Sequence, residues 1–175
     1  MISASHKVAI LALTMLLLST AWAQRRDPLN PLEQDQLRDA AQEPSERLKL
    51  YMQFSRARLT SLEQTRTDPK VTDRGQQTRD RLQDFLDVYD ELNDNLDTFV
   101  ERKADLRKPL KTLIDADTEF QARLRALKSS ADANKGEIKQ YDFLLTSVLE
   151  TIDSSVLDHR QLLTQQEEAF KHKKK

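Results

Sequence analysis

From Leu82 to Leu127 the chain carries an apolar stripe with a period of seven residues. Leu82, Tyr89, Leu96, Lys103, Leu110, Asp117 and Leu124 occupy one register, and Phe85, Leu92, Phe99, Leu106, Leu113, Phe120 and Leu127 follow three residues behind. Twelve of these fourteen seam positions are apolar, the signature of a helix whose narrow face is buried against other helices. The stripe predicts one helix over about 76–128, roughly 80 Å long at ~1.5 Å per residue. Pro109 falls within it, at a position flanking the seam. A turn usually resets heptad phase, and here the phase continues past the proline, so the sequence predicts a kink at Pro109 rather than a break.

The rest of the chain is divided by its few helix breakers. Asn30-Pro31-Leu32-Glu33 reads as a helix start, with Asn30 as N-cap, Pro31 in the first turn and Glu33 reaching back in a capping box. That helix should run over 31–42 and stop before Pro44. A second, over 45–66, places Leu48, Tyr51, Met52, Ser55, Leu59 and Leu62 on one face and Leu50, Phe54 and Ala57 on another. The only two glycines, Gly75 and Gly136, lie in the two strongest connections, around 68–75 and 129–136. Asn134 and Glu137 offer a capping box for a last helix over 137–170, whose stripe includes His159. The predicted fold is all-α: an elongated antiparallel helical bundle or coiled coil of three principal helices, the central one long and kinked, plus a short N-terminal helix. A compact four-helix bundle is the alternative.

Two registers follow from folding the outer helices back. About residue 71, positions of the first and central helices pair when their numbers add to about 142, which sets Lys49, Arg56 and Arg58 beside the acidic run Asp84–Asp97. About residue 133, Lys171 falls near residue 95. The two outer helices would then meet end to end and leave Leu50 and Phe54 partly exposed. These two residues are the candidate self-association face, and a homo-oligomer, most simply a two-fold dimer, is expected.

Residues 1–23 read as a secretory signal. Lys7 precedes the eleven-residue apolar run Val8–Leu18, which is short for a membrane span, and Ala21-Trp22-Ala23 supplies a cleavage site before Gln24. Residues 24–30 form a flexible lead. One of the 28 basic and none of the 29 acidic residues lies in the leader, so the exported chain carries a net charge of −2 and argues against nucleic-acid binding. The chain has no cysteine, which removes disulfides, lipid attachment, thiol catalysis and zinc–thiolate motifs. The implied location is periplasmic or extracellular.

No catalytic, cofactor or metal constellation is read. Asp115-x-Asp117-x-Glu119 opens like a calcium loop, but Phe120 stands where the glycine is needed, so a solvated helix face is expected there. Glu168 and His172 are spaced to share a metal, though two ligands make no site. Lys103, Asp117 and His159 are polar seam positions of the kind that fix register at some cost in stability. The tail 171–175 offers Lys171, Lys173, Lys174 and Lys175 for peripheral contact with an anionic membrane. The sequence thus implies a non-catalytic structural or protein-interaction module of the cell envelope. A holdase for exported proteins and a ligand-sensing bundle using His159 are the alternatives.

Overall fold

Asn30 accepts a hydrogen bond from the Glu33 amide (3.0 Å), and the Glu33 carboxylate accepts one from the Asn30 amide (2.9 Å), closing the capping box the sequence announces. The computed structural model describes residues 27–131 and 135–173, so the leader and the last two lysines lie outside the described residues. From Asn30 the chain runs through six helices: α1 (Pro31–Asp39), α2 (Pro44–Thr67), α3 (Arg74–Glu101), α4 (Arg107–Ala131), α5 (Lys135–Ile138) and α6 (Asp142–Lys173). Among the described residues there are no strands, as expected for an all-α chain. Pro44 opens α2 at its first turn, where a missing N–H costs nothing, so it breaks the chain rather than kinking it.

The long central helix does not form. It is two helices, α3 and α4, and the three principal helices become four, the compact bundle given above as the alternative. The break lies at 102–106, ahead of Pro109. Lys103 adopts a left-handed φ of 57°. The Ala104 amide bonds the Phe99 carbonyl (3.1 Å) and the Lys103 amide bonds Val100 (2.9 Å), the paired bonds of a Schellman cap. Ala104 packs on the core in the same motif. Pro109 then occupies the third residue of α4, whose N–H has no intrahelical acceptor in any case. From α6, Gln166 ties the turn down, accepting from the Leu106 amide (3.4 Å) and donating to the Ala104 carbonyl (3.3 Å).

The four long helices form a square in which α2 neighbours α3 and α4, and α6 neighbours the same two. Consecutive α3 and α4 therefore stand on a diagonal and meet through long side chains across the core. Phe85 and Phe120 are edge-to-face at 5.5 Å, and Tyr89 stacks beside Phe85 at 5.8 Å. Thirteen of the fourteen seam residues are buried, Lys103 alone being exposed. α2 and α3 are antiparallel in the register foreseen: Arg47 pairs with Asn95 (2.6 Å) and Arg66 with Thr78 (3.5 Å). α2 with α4, and α3 with α6, run parallel.

The second register is displaced. Asp117 faces His159, about ten residues further along α6 than a fold about residue 133 allows. The connection takes up α5 and the turn at 139–141 before α6 begins, so Lys171 lies beside Arg107 and Lys111 rather than near residue 95. The charge pairing is corrected too. Arg56 bonds Glu119 (2.7 Å), Arg58 bonds Glu33 (2.6 Å) and Lys49 bonds Glu46 (3.5 Å), none of them the acidic run of α3.

The turn at Lys103 is open to direct test. A β-branched residue at positive φ is strained, whereas glycine is not. Lys103→Val is expected to lower stability by about 1 kcal/mol and Lys103→Gly to raise it by roughly 0.5 kcal/mol, read by urea unfolding. Equal effects from both would show that α3 continues through this position.

Candidate functional site

Two of the three polar seam residues meet at the centre of the bundle. Asp117 of α4 is wholly buried, and its Oδ2 lies 2.8 Å from Nδ1 of His159 on α6, itself only 4% exposed. Its Oδ1 accepts a hydrogen bond from the Tyr89 hydroxyl of α3 at 2.8 Å. One carboxylate thus joins three helices. An ionised carboxylate only accepts, so Nδ1 carries the proton in this arrangement, and in the neutral ring Nε2 is left as an acceptor. Burial raises the Tyr89 hydroxyl far above its ordinary value of about 10, and the adjacent Asp117 charge pushes the same way.

Tyr89 reads as an ordinary apolar seam residue in sequence. Its partnership with Asp117 becomes visible only once α3 folds back on α4. The third polar seam residue, Lys103, is exposed in the turn and takes no part. Asp117 also leaves the solvated face read for Asp115, Asp117 and Glu119: Asp115 is exposed, and Glu119 bonds Arg56 and Arg123.

Beside the network the neighbouring helices α3 and α6 leave a cleft of about 310 Å³. Its polar lining is Asn93 and Asp97 from α3 with Ser155, Asp158 and His159 from α6, and Leu96, Val100 and Leu162 complete it. Asn93 donates a long hydrogen bond to Ser155 (3.4 Å), while its Oδ1 is buried without a partner. Nε2 of His159 has no hydrogen-bond partner among the described residues.

The other candidate residues lie apart from this centre. Phe54 is buried at 7% exposure, and Leu50 is half-buried against the same core. Of the face expected to stay partly exposed, Leu50 does so and Phe54 does not, and α1 docks along the same side of α2. Arg58 grips both Glu33 oxygens and the Pro28 carbonyl, and Arg47 reaches the Leu37 carbonyl. Glu33 therefore has a second task that the capping motif does not announce. Lys171 is exposed at the end of α6, in a cleft shared with Asp105, Arg107, Lys111, Glu167 and Phe170. Nothing is described of the side chains of His172 and Lys173, and Lys174 and Lys175 lie outside the described residues. Among the described residues no three His, Asp or Glu are grouped to hold a metal ion, and no helix is long and apolar enough to cross a membrane.

No protein family, no curated protein and no solved structure matches the chain.

Removing the shared carboxylate strands two buried partners. Asp117→Ala is expected to cost about 3 kcal/mol or more in urea unfolding. Replacing all three groups together (Tyr89→Phe, Asp117→Leu, His159→Leu) should recover most of that loss, since no buried polar group is then left unpaired. A triple variant as unstable as Asp117→Ala would mean that the network stabilises by more than mutual satisfaction.

The Tyr89 shift has a definite sign. The fold favours the neutral phenol, so above pH of about 10 the unfolded chain loses this proton first and stability falls. The slope for one such group is ~1.4 kcal/mol per pH unit. Tyr89→Phe should flatten alkaline unfolding by one proton, and an unchanged slope would place the hydroxyl in solvent.

Proposed function

We propose that the chain is a non-catalytic helical interaction module which, after export, engages a partner protein in the cell envelope. The observation that carries this reading is on the outer face of α6. Phe143 is 89% exposed and Leu157 67% exposed, while the only other large apolar residue so exposed among those described is Leu32. Phe143 and Leu157 are two heptads apart, which aligns them on one line of the helix about 21 Å long. Ser147 and Ser154 lie beside that line, and small side chains there let a partner helix approach closely.

Two exposed anchors on a rigid helix suit the helix-against-helix mode of recognition, in which apolar groups at fixed helical spacing enter a partner's groove. Alone they are too small an area for a permanent dimer, which needs about 800 Å² from each copy. A separate partner therefore accounts for them better than self-association. The leader features, Val8–Leu18 and Ala21-x-Ala23, support the envelope setting and lie outside the described residues.

The test uses a photo-crosslinking residue introduced at position 143, and separately at exposed position 115, in the native host. A discrete adduct from 143 that is missing from 115, and that disappears on Leu157→Ser, is the expected result. Identical adducts from both positions, or none from 143, would remove the support for this reading.

A further inference from the structure

We infer that the end of the bundle formed by the α3–α4 turn and the last turns of α6 docks on the surface of an anionic phospholipid bilayer. In sequence only the tail lysines suggest such a contact, and the fold sets a second group of cations beside them. This surface lies at the far end of α6 from Phe143 and does not depend on the partner reading given above.

Leu106 and Gln166, 60 residues apart, share a hydrogen bond of 3.4 Å at this end. The same packing brings Arg107, Lys108 and Lys111 of α4 around one open cleft with Lys171 of α6. Arg102 and Lys103 are exposed in the turn that precedes them. Asp105 and Glu167 are the carboxylates of the cleft lining, and both are already engaged: Arg107 bonds the first (2.7 Å) and Lys111 the second (3.0 Å). These bonds hold both carboxyls below their ordinary range, so they stay ionised and occupied. Glu101 and Glu168, the other carboxylates of 101–111 and 167–171, lie outside the lining. Arg102, Lys103 and Lys108 form no ion pair among the described residues, and Lys171 contributes only its field at Glu167. The two stretches hold six cations and four carboxylates. The chain passes Lys173 at this same end and continues into Lys174 and Lys175, which raises the surplus of positive charge from two to five.

A plane of negative charge suits this group better than a single bound anion. The cations are on exposed or half-exposed stems spread over a turn and two helices, and clusters of about four to eight Lys and Arg are the size that anionic lipid surfaces attract. The cleft also holds an aromatic ring. Arg107 stacks over Phe170 at 3.5 Å, which sets a half-buried ring among the lysines. Aromatic groups flanked by cations match the headgroup boundary, where the ring meets the acyl chains and the cations stay with the phosphates.

The rest of the charge sets the orientation. The acidic run Asp84–Asp94 on α3 lies roughly 12–27 Å back from Arg102 at ~1.5 Å per residue. That exceeds the Debye length of ~8 Å at physiological ionic strength, so a bundle standing on its end keeps these carboxylates outside the surface field. A bundle lying on its side would set them against like charge.

The experiment floats the purified chain with phosphatidylcholine vesicles and with vesicles that also contain phosphatidylglycerol. Retention by the anionic vesicles alone, lost at roughly 1 M salt where the Debye length falls to ~3 Å, is expected. Lys108→Gln with Lys171→Gln should weaken that retention roughly tenfold or more. Arg79→Gln with Lys139→Gln removes the same charge from exposed positions at the other end of the bundle and should leave it unchanged. Equal losses from the two pairs, equal retention by both kinds of vesicle, no retention by either, or equally tight binding of a duplex oligonucleotide would overturn the assignment.

Discussion

The Asp117 carboxylate is the point on which the bundle is indexed. It accepts from Tyr89 on α3 and faces His159 on α6, so one group fixes the level of three helices against one another. Apolar seams alone do not do this. A leucine displaced by a heptad still finds apolar neighbours, whereas a buried carboxylate displaced from its two partners is left charged and unpaired. Phe85 and Phe120, packed beside Tyr89, add the dense aromatic contact that keeps water out of the network. The energetic benefit of such a triad over apolar packing is small, and its value lies in making neighbouring registers costly.

The same centre explains why the heptad stripe was legible while the chain's path was not. A stripe of alternating three- and four-residue steps is nearly its own mirror image when folded about Lys103. Phe99 then corresponds to Leu106, Leu96 to Leu110 and Tyr89 to Asp117. Phase continuity therefore cannot separate a straight helix from a folded one, and the inference of a kink rested on a symmetry that both share. What decides the path is local. Lys103 enters the left-handed region and the Schellman bonds close behind it, without the glycine that usually marks such a cap. Pro109, the residue that drew attention in sequence, is only a compatible first-turn residue of the next helix.

Registers across the other connections divide in the same way. The link at 68–73 is short, so folding about its middle gave the α2–α3 pairing correctly. The link before α6 hides a turn of helix and a further turn, and the midpoint estimate failed by their length. Charges were weaker guides than either. Arginines reach across several neighbours, and Arg56, Arg58 and Arg123 settled on glutamates of α1, α2 and α4 rather than on the acidic run of α3. That outcome agrees with the small worth of partly exposed pairs, which follow the packing and do not direct it. Phe54 is more covered than its place on the second face of α2 suggests, while Leu50 stays partly exposed as expected; the short α1 docks along this side of α2, secured by Glu33 and Arg47.

His159 belongs to two environments at once. One ring nitrogen is held in the indexed core, and the same side chain forms part of the wall of the α3–α6 cleft. Rotation of the ring to serve the cleft alone would strand Asp117, so the core holds the ring in one orientation. The cleft walls beyond it come from α3 and α6, the two helices that the Tyr89–Asp117–His159 contact sets level. The polar core is therefore more than a compromise with stability: by joining α3, α4 and α6 through one carboxylate, it also holds the two walls of that cleft in place.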